Sequence, residues 1–120
     1  MNLSIETRQI NDVVILVLSG RVSVLETQLK PLAEELIGRG QRNFVINLAN
    51  VSYLDNFGLG QLCWIYTVAR NRGGDMKLLR PTPRIKSLLG VTKLDTVFQW
   101  FDSEAEAVAS FPRFKSPVSA

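Results

Sequence analysis

Residues 53–62 read Y-L-D-N-F-G-L-G-Q-L. The stretch leaves an apolar run, passes an Asp-Asn pair and enters two glycines spaced as G-x-G. Its reading decides the fold, because it joins a strand to a helix. Behind it, Phe44-Val45-Ile46-Asn47-Leu48 reads as a buried strand. Ahead of it, 56–71 carries the strongest helical pattern in the chain. Asp55 and Asn56 are both good N-cap residues, and a carboxylate is favoured at the positive end of a helix dipole.

Working outward, the same strand-then-helix pattern repeats. Leu3, Ile5 and Thr7 alternate with polar residues, so 3–9 reads as a half-buried strand. Asn11-Asp12 marks a tight turn. Val13–Leu18 is an unbroken apolar run, expected as a central strand buried on both faces, in a hairpin that ends at Gly20. Over 24–38, Leu25, Leu29, Leu32, Ala33 and Leu36 recur at helical spacing. Pro31 must lie in the first turn or kink that helix, so its start could be as late as Lys30, and Gly38 and Gly40 stop it. Arg72-Gly73-Gly74-Asp75 ends the helix over 56–71 and leads into a strand at Met76–Leu79. Thr82 caps a further helix with Pro83 at its first position, ending at Gly90. Val97–Phe101 is a short final strand, and Asp102 or Ser103 caps a last helix, with Ser103 and Glu106 in capping-box spacing. The order ββαβαβαβα predicts an α/β fold, a mixed sheet of about five strands with about four helices packed on it. One domain over 3–111 is expected, with a frayed tail at 112–120.

Composition narrows the chemistry. The chain has 120 residues, 46% of them apolar, enough for one domain with a real core. It has no histidine, which removes the commonest general base, imidazole metal sites and Ser-His or Cys-His dyads. Its one cysteine, Cys63, precludes an internal disulfide and a thiolate metal cluster. No signal peptide or bilayer-spanning run is visible, so a cytoplasmic protein without membrane insertion is expected. The net charge of +3 is spread over several elements rather than clustered, which argues against nucleic acid.

The glycines do not make a phosphate cradle. A dinucleotide fingerprint needs G-x-G-x-x-G, and Cys63 stands where the third glycine would be. No P-loop pattern occurs either. A hydrolytic Asp55 would want a second carboxylate, a base or a metal, and none is recognisable beside it. No catalytic residue, cofactor or metal ligand is therefore assigned.

The helix itself is unusual. With Phe57 at 0° and about 100° per residue, Leu62, Tyr66 and Leu59 fall near 140–200°, flanked by Ala69 and Cys63. Phe57, Val68 and Trp64 fall on the opposite side, with Gln61 among them. A helix lying on a sheet should be polar there. The stripe is therefore a protein interface, or else the first helix or the tail covers it. A stripe of this kind also suits a homodimer.

At this point a family resemblance emerges. L-S-G-R-V at 18–22, V-I-N-L-A-N-V-S-Y-L-D-N-F-G-L-G at 45–60, R-N-R-G-G-D-M-K-L-L at 70–79 and the T-P-R-I segment from Thr82 resemble the STAS domain, which includes bacterial anti-sigma factor antagonists. The resemblance covers about residues 3–110. It implies a non-enzymatic partner-switching module. Such an antagonist binds an anti-sigma factor, often a serine-kinase-like protein, and so frees a sigma factor. The kinase phosphorylates a Ser or Thr in a D-S-x-G segment, and the added charge breaks the complex. By this resemblance the docking surface comprises Ser23 in the turn after Gly20, Asp55, Asn56, Phe57 and Gly58 in the loop, and Gln61, Trp64 and Val68 on the helix.

The sequence departs from the pattern at the switch. Asn56 stands at the phosphoacceptor position and carries no hydroxyl, and Phe57 follows it. Ser23 stands where the family often has an acidic residue. Asn56 is neutral, so it resembles an unphosphorylated serine in charge and in capping ability. Either the antagonist lacks the usual switch, or the module has changed its partner. The alternative class is a diverged STAS module that binds a nucleotide or lipid ligand or serves as a cytoplasmic subunit of a transport system.

Overall fold

Val13, Val14, Ile15, Leu16 and Leu18 are each almost fully buried. They belong to β2 (Val13–Val22), which has a strand on either side. β1 (Leu3–Ile10) pairs with it antiparallel, and β3 (Asn43–Leu54) parallel. The computed structural model describes residues 3–23 and 28–112. The sheet order is β1-β2-β3-β4-β5, with β4 (Asp75–Leu79) and the two-residue β5 (Trp100–Phe101) joining in parallel. The expected order ββαβαβαβα is the observed one.

The β1–β2 turn is Asn11-Asp12, closed by the Ile10–Val13 pair. Asn11 sits at φ 56°, a left-handed conformation that asparagine tolerates better than most residues.

Each parallel connection carries a helix: α1 (Leu29–Gly38), α2 (Asn56–Asn71) and α3 (Pro83–Val91). All three lie on one face. Val14, Leu16 and Leu18 of β2, Phe44, Ile46 and Leu48 of β3, and Met76 and Leu78 of β4 form the sheet side of that core. The opposite face buries Val13, Ile15, Val45 and Leu79 against Ala107 of α4 (Glu104–Ala109) and against Phe111.

α1 begins at Leu29, with Gln28 at its N-cap. Pro31 is therefore its third residue. A first-turn N–H has no intrahelical acceptor, so proline costs nothing there. Leu25 and the predicted helical turn at 24–27 lie outside the described residues, as does the tail from 113 to 120. α1 ends at Gly38, and Gly40 takes φ 98° just beyond.

Three boundaries differ from the sequence reading. β3 runs on to Leu54, well past Leu48. Val17 faces Asn47 but Ser19 faces Asn50, and Gly20 faces Val51 but Arg21 faces Tyr53. Each step leaves an extra residue on β3, a bulge that breaks the period-2 pattern. The bulges return Val51 and Leu54 to the core face, where both are buried. α3 does not stop at Gly90. It continues to Val91, Thr92 caps it with Oγ1 donating to the Leu88 carbonyl at 2.8 Å, and the left-handed residue is Lys93 at φ 65°. The last strand is shorter than 97–101, because Leu94–Thr96 form a 3-10 turn that sends Phe98 into the main core. The cap predicted at Thr82 holds, and of Asp102 and Ser103 it is Ser103 that caps α4. Thr82 accepts from the Ile85 N–H at 3.3 Å and Ser103 from the Glu106 N–H at 3.2 Å.

Candidate functional site

The end of β3 delivers the chain to α2 through one residue, Asp55. Its backbone is extended, and its Oδ1 accepts the Gly58 N–H at 2.8 Å. Its own N–H donates to the Val22 carbonyl at 3.3 Å, which fastens the junction to the end of β2. The carboxylate of Asp55 is thus occupied as a helix cap.

Gly58 explains the glycine spacing. A Cβ there would collide with the Val22 carbonyl and lie 2.8 Å from Leu54 Cδ1. The missing side chain lets the first turn of α2 approach the sheet. No room for a phosphate results. Gly60 is different, with nothing among the described residues within 4 Å of where a Cβ would be.

The face that α2 presents to the sheet is not the one read from the sequence. Gly58, Leu59, Gln61, Leu62, Ile65 and Ala69 are buried. Relative to the Leu62–Tyr66–Leu59 arc, the helix is rotated by roughly 70°, at 100° per residue. Ile65 is central to the core, while Tyr66 is half-buried at its margin, edge-on to Phe98.

This rotation corrects the outer stripe. Gln61 is 7% exposed and lies inside, with neither amide atom hydrogen-bonded among the described residues. Val68 is half-buried against the core. Trp64 is also half-buried, and Lys30 of α1 sets its ammonium 5.0 Å from the ring centre. The first helix therefore covers part of the stripe. Phe57 alone of the four is open, at 51% exposure, beside exposed Asn56. Ser23 is 5% exposed, so its side chain is not on offer at the surface. Ser52 is exposed, and its Oγ donates to the Gly20 carbonyl at 3.2 Å.

The structure thus brings Asp55, Asn56, Phe57 and Gly58 together at one corner, with the half-buried Trp64 ring further along α2. It adds Gly60 and Thr67, exposed on the same side of the helix, which the sequence reading passed over. Neither is apolar and large, so no hydrophobic signal marked them. Cys63 is half-buried, and burial raises its thiol pKa, so it is held away from the thiolate form. A groove of about 840 Å³ between the β1–β2 turn and α4 lies on the other face of the sheet and takes no part in this corner.

A sheet with an N-terminal hairpin, three helices on one face and a capped loop-to-helix corner defines a class of α/β module, and comparison identifies it. The chain belongs to the STAS domain family, which it matches over residues 4–107. It is 29% identical over 110 residues to an anti-sigma F factor antagonist of Paenibacillus polymyxa, covering 90% of this chain and 94% of that one. It is 32% identical over 99 residues to an anti-sigma-B factor antagonist of Staphylococcus epidermidis, covering 78% and 88%. Its fold matches the crystal structure of an anti-sigma factor antagonist from Mycobacterium paratuberculosis with a TM-score of 0.81, at 18% identity and covering 91% and 93%. No helix among the described residues is long and apolar enough to cross a membrane.

Proposed function

We propose that this chain is a cytoplasmic, non-enzymatic regulatory module that docks on an anti-sigma factor of the serine-kinase-like type. The contact is the corner Asp55-Asn56-Phe57 and the exposed side of α2. The observation that carries the reading is Phe57, a large apolar side chain left open at the head of a capped helix, in a family whose named relatives are anti-sigma factor antagonists. Exposed aromatic residues at such a position anchor interfaces. Asn56 takes the place of the phosphoacceptor, so docking is not switched off there. Phosphate would add about −1.5 to −2 charge at the head of α2, and asparagine cannot receive it.

The test is calorimetric titration with the anti-sigma factor of the same organism. Wild type should bind, and Phe57→Ala should weaken binding at least about tenfold, as loss of an interface anchor does. In the presence of ATP, the Asn56→Ser variant should become phosphorylated and lose the partner, while wild type stays bound and unlabelled. Unchanged affinity in Phe57→Ala places the interface elsewhere. Label on wild-type Ser52 shows that the switch has moved.

A further inference from the structure

β4 leaves the sheet at Leu79, where Arg80 takes φ 51° and Pro81 turns the chain toward α3. β3 does not leave with it. It pairs with β4 only over Asn43–Asn47, yet remains paired with β2 as far as Leu54. Along 49–54, then, β3 has no strand on its second side among the described residues. A pocket of about 120 Å³ lies in the vacated lane. Val51–Leu54 form one wall, and Thr82, Arg84 and Ile85 belong to the other.

An unpaired strand edge is a template for an added strand, and natural edges are commonly blunted by charged side chains. The outer edge strand, β1, follows that rule, with exposed Glu6 and Arg8. The open part of β3 does not. Its exposed residues are Ala49, Asn50 and Ser52. The acid that follows the lane, Asp55, is engaged as the cap of α2, and two cations stand close by. Arg84 lines the pocket, and Arg21 on the neighbouring strand lies 4.1 Å over the ring of Tyr53. Neither pairs with an acid among the described residues.

We propose that this lane docks an extended, acidic segment of a partner protein. The segment adds alongside the end of β3, pairing its backbone with the open edge and setting a carboxylate on Arg84. Backbone pairing supplies affinity whatever the sequence, and the Arg84 contact fixes sign and register. An alternate apolar side chain enters the pocket between Val51 and Ile85. The lane adjoins the head of α2 but does not depend on docking there.

The probe is a fluorescent heptapeptide in which threonine or valine alternates with glutamate, titrated into the full chain by anisotropy and by amide NMR shifts. Binding is expected, with the largest shifts at Asn50, Ser52 and Tyr53. Arg84→Glu, a lysine-for-glutamate peptide and a peptide N-methylated at alternate residues should each bind at least about tenfold more weakly, because each removes the charge match or the backbone donors. Arg72→Glu, at an exposed turn after α2, and Phe57→Ala should leave the affinity unchanged. No binding at millimolar peptide overturns the proposal. So does equal binding of the lysine or N-methylated peptide, loss of binding in Phe57→Ala, or shifts confined to β1.

Discussion

Gly58 lies so close to Val22 that a single methyl group would run into the Val22 backbone carbonyl. The head of α2 thus rests directly on the end of β2. Alanine normally favours a helix interior over glycine by about 0.5–1 kcal/mol. At Gly58 that gain is outweighed, because the obstacle is backbone and cannot swing aside. Gly58→Ala should destabilise the fold by about 1–3 kcal/mol, the usual cost of overpacking. Gly60→Ala meets nothing and should stabilise by about 0.5–1 kcal/mol. Urea unfolding of the two variants tests the contrast, and a stable Gly58→Ala would refute the close approach.

Asp55 holds the same corner through its cap to the Gly58 N–H. Asp55→Ala should cost about 1 kcal/mol, and Asp55→Asn only a few tenths, since asparagine caps nearly as well. If alanine and asparagine behave alike in thermal melts, the cap contributes little.

Gln61 is the misplaced polar group of α2, with both amide atoms buried and unpaired among the described residues. Leaving such groups unsatisfied costs about 1–3 kcal/mol, whereas an apolar side chain of similar shape carries no such cost. Gln61→Leu should therefore raise stability by about 1 kcal/mol or more in chemical denaturation. A destabilised Gln61→Leu would show that the amide has a hydrogen-bonding partner in solution, such as a buried water.

Arg8 of β1 and Glu104 of α4 form an ion pair and hydrogen bond that ties the hairpin to the far face of the sheet. The bond to Arg8 holds the Glu104 carboxyl below its ordinary pKa. A depressed folded pKa means stability that is present above the unfolded value and is lost as pH falls through the folded one. Wild type should exceed Glu104→Gln in Tm near neutrality, by the small margin an exposed pair allows. That difference should vanish below the usual carboxylate range. A difference independent of pH between 3 and 7 would assign it to something other than this charge.

Much of the fold was legible because its signals are local. Asp55, Thr82 and Ser103 were each candidates for a helix start, and each caps, whereas the neighbouring candidates Asn56 and Asp102 do not. Val13–Leu18 announced a central strand by being apolar without interruption. The tail of β3 was not legible, because two bulges remove the alternation that marks a strand. The site was only partly legible. Asp55, Asn56 and Phe57 were placed correctly at the head of α2. Gln61 and Val68 were not, because a wheel shows which residues share a side but not which side meets the sheet.

The sequence by itself determined the order of elements, the capped corner and the absence of a hydroxyl at Asn56. These are properties of neighbours along the chain, set by propensity, capping and side-chain chemistry. The tertiary structure alone decided the rotation of α2, the burial of Ser23 and Gln61, and the open lane beside β3. Each depends on where distant segments come to rest. Gly58 seats α2 on Val22, α1 lays Lys30 over Trp64, and β4 turns away from β3 at Arg80. No local pattern encodes such contacts, because they are fixed by steric fit between elements far apart in the chain.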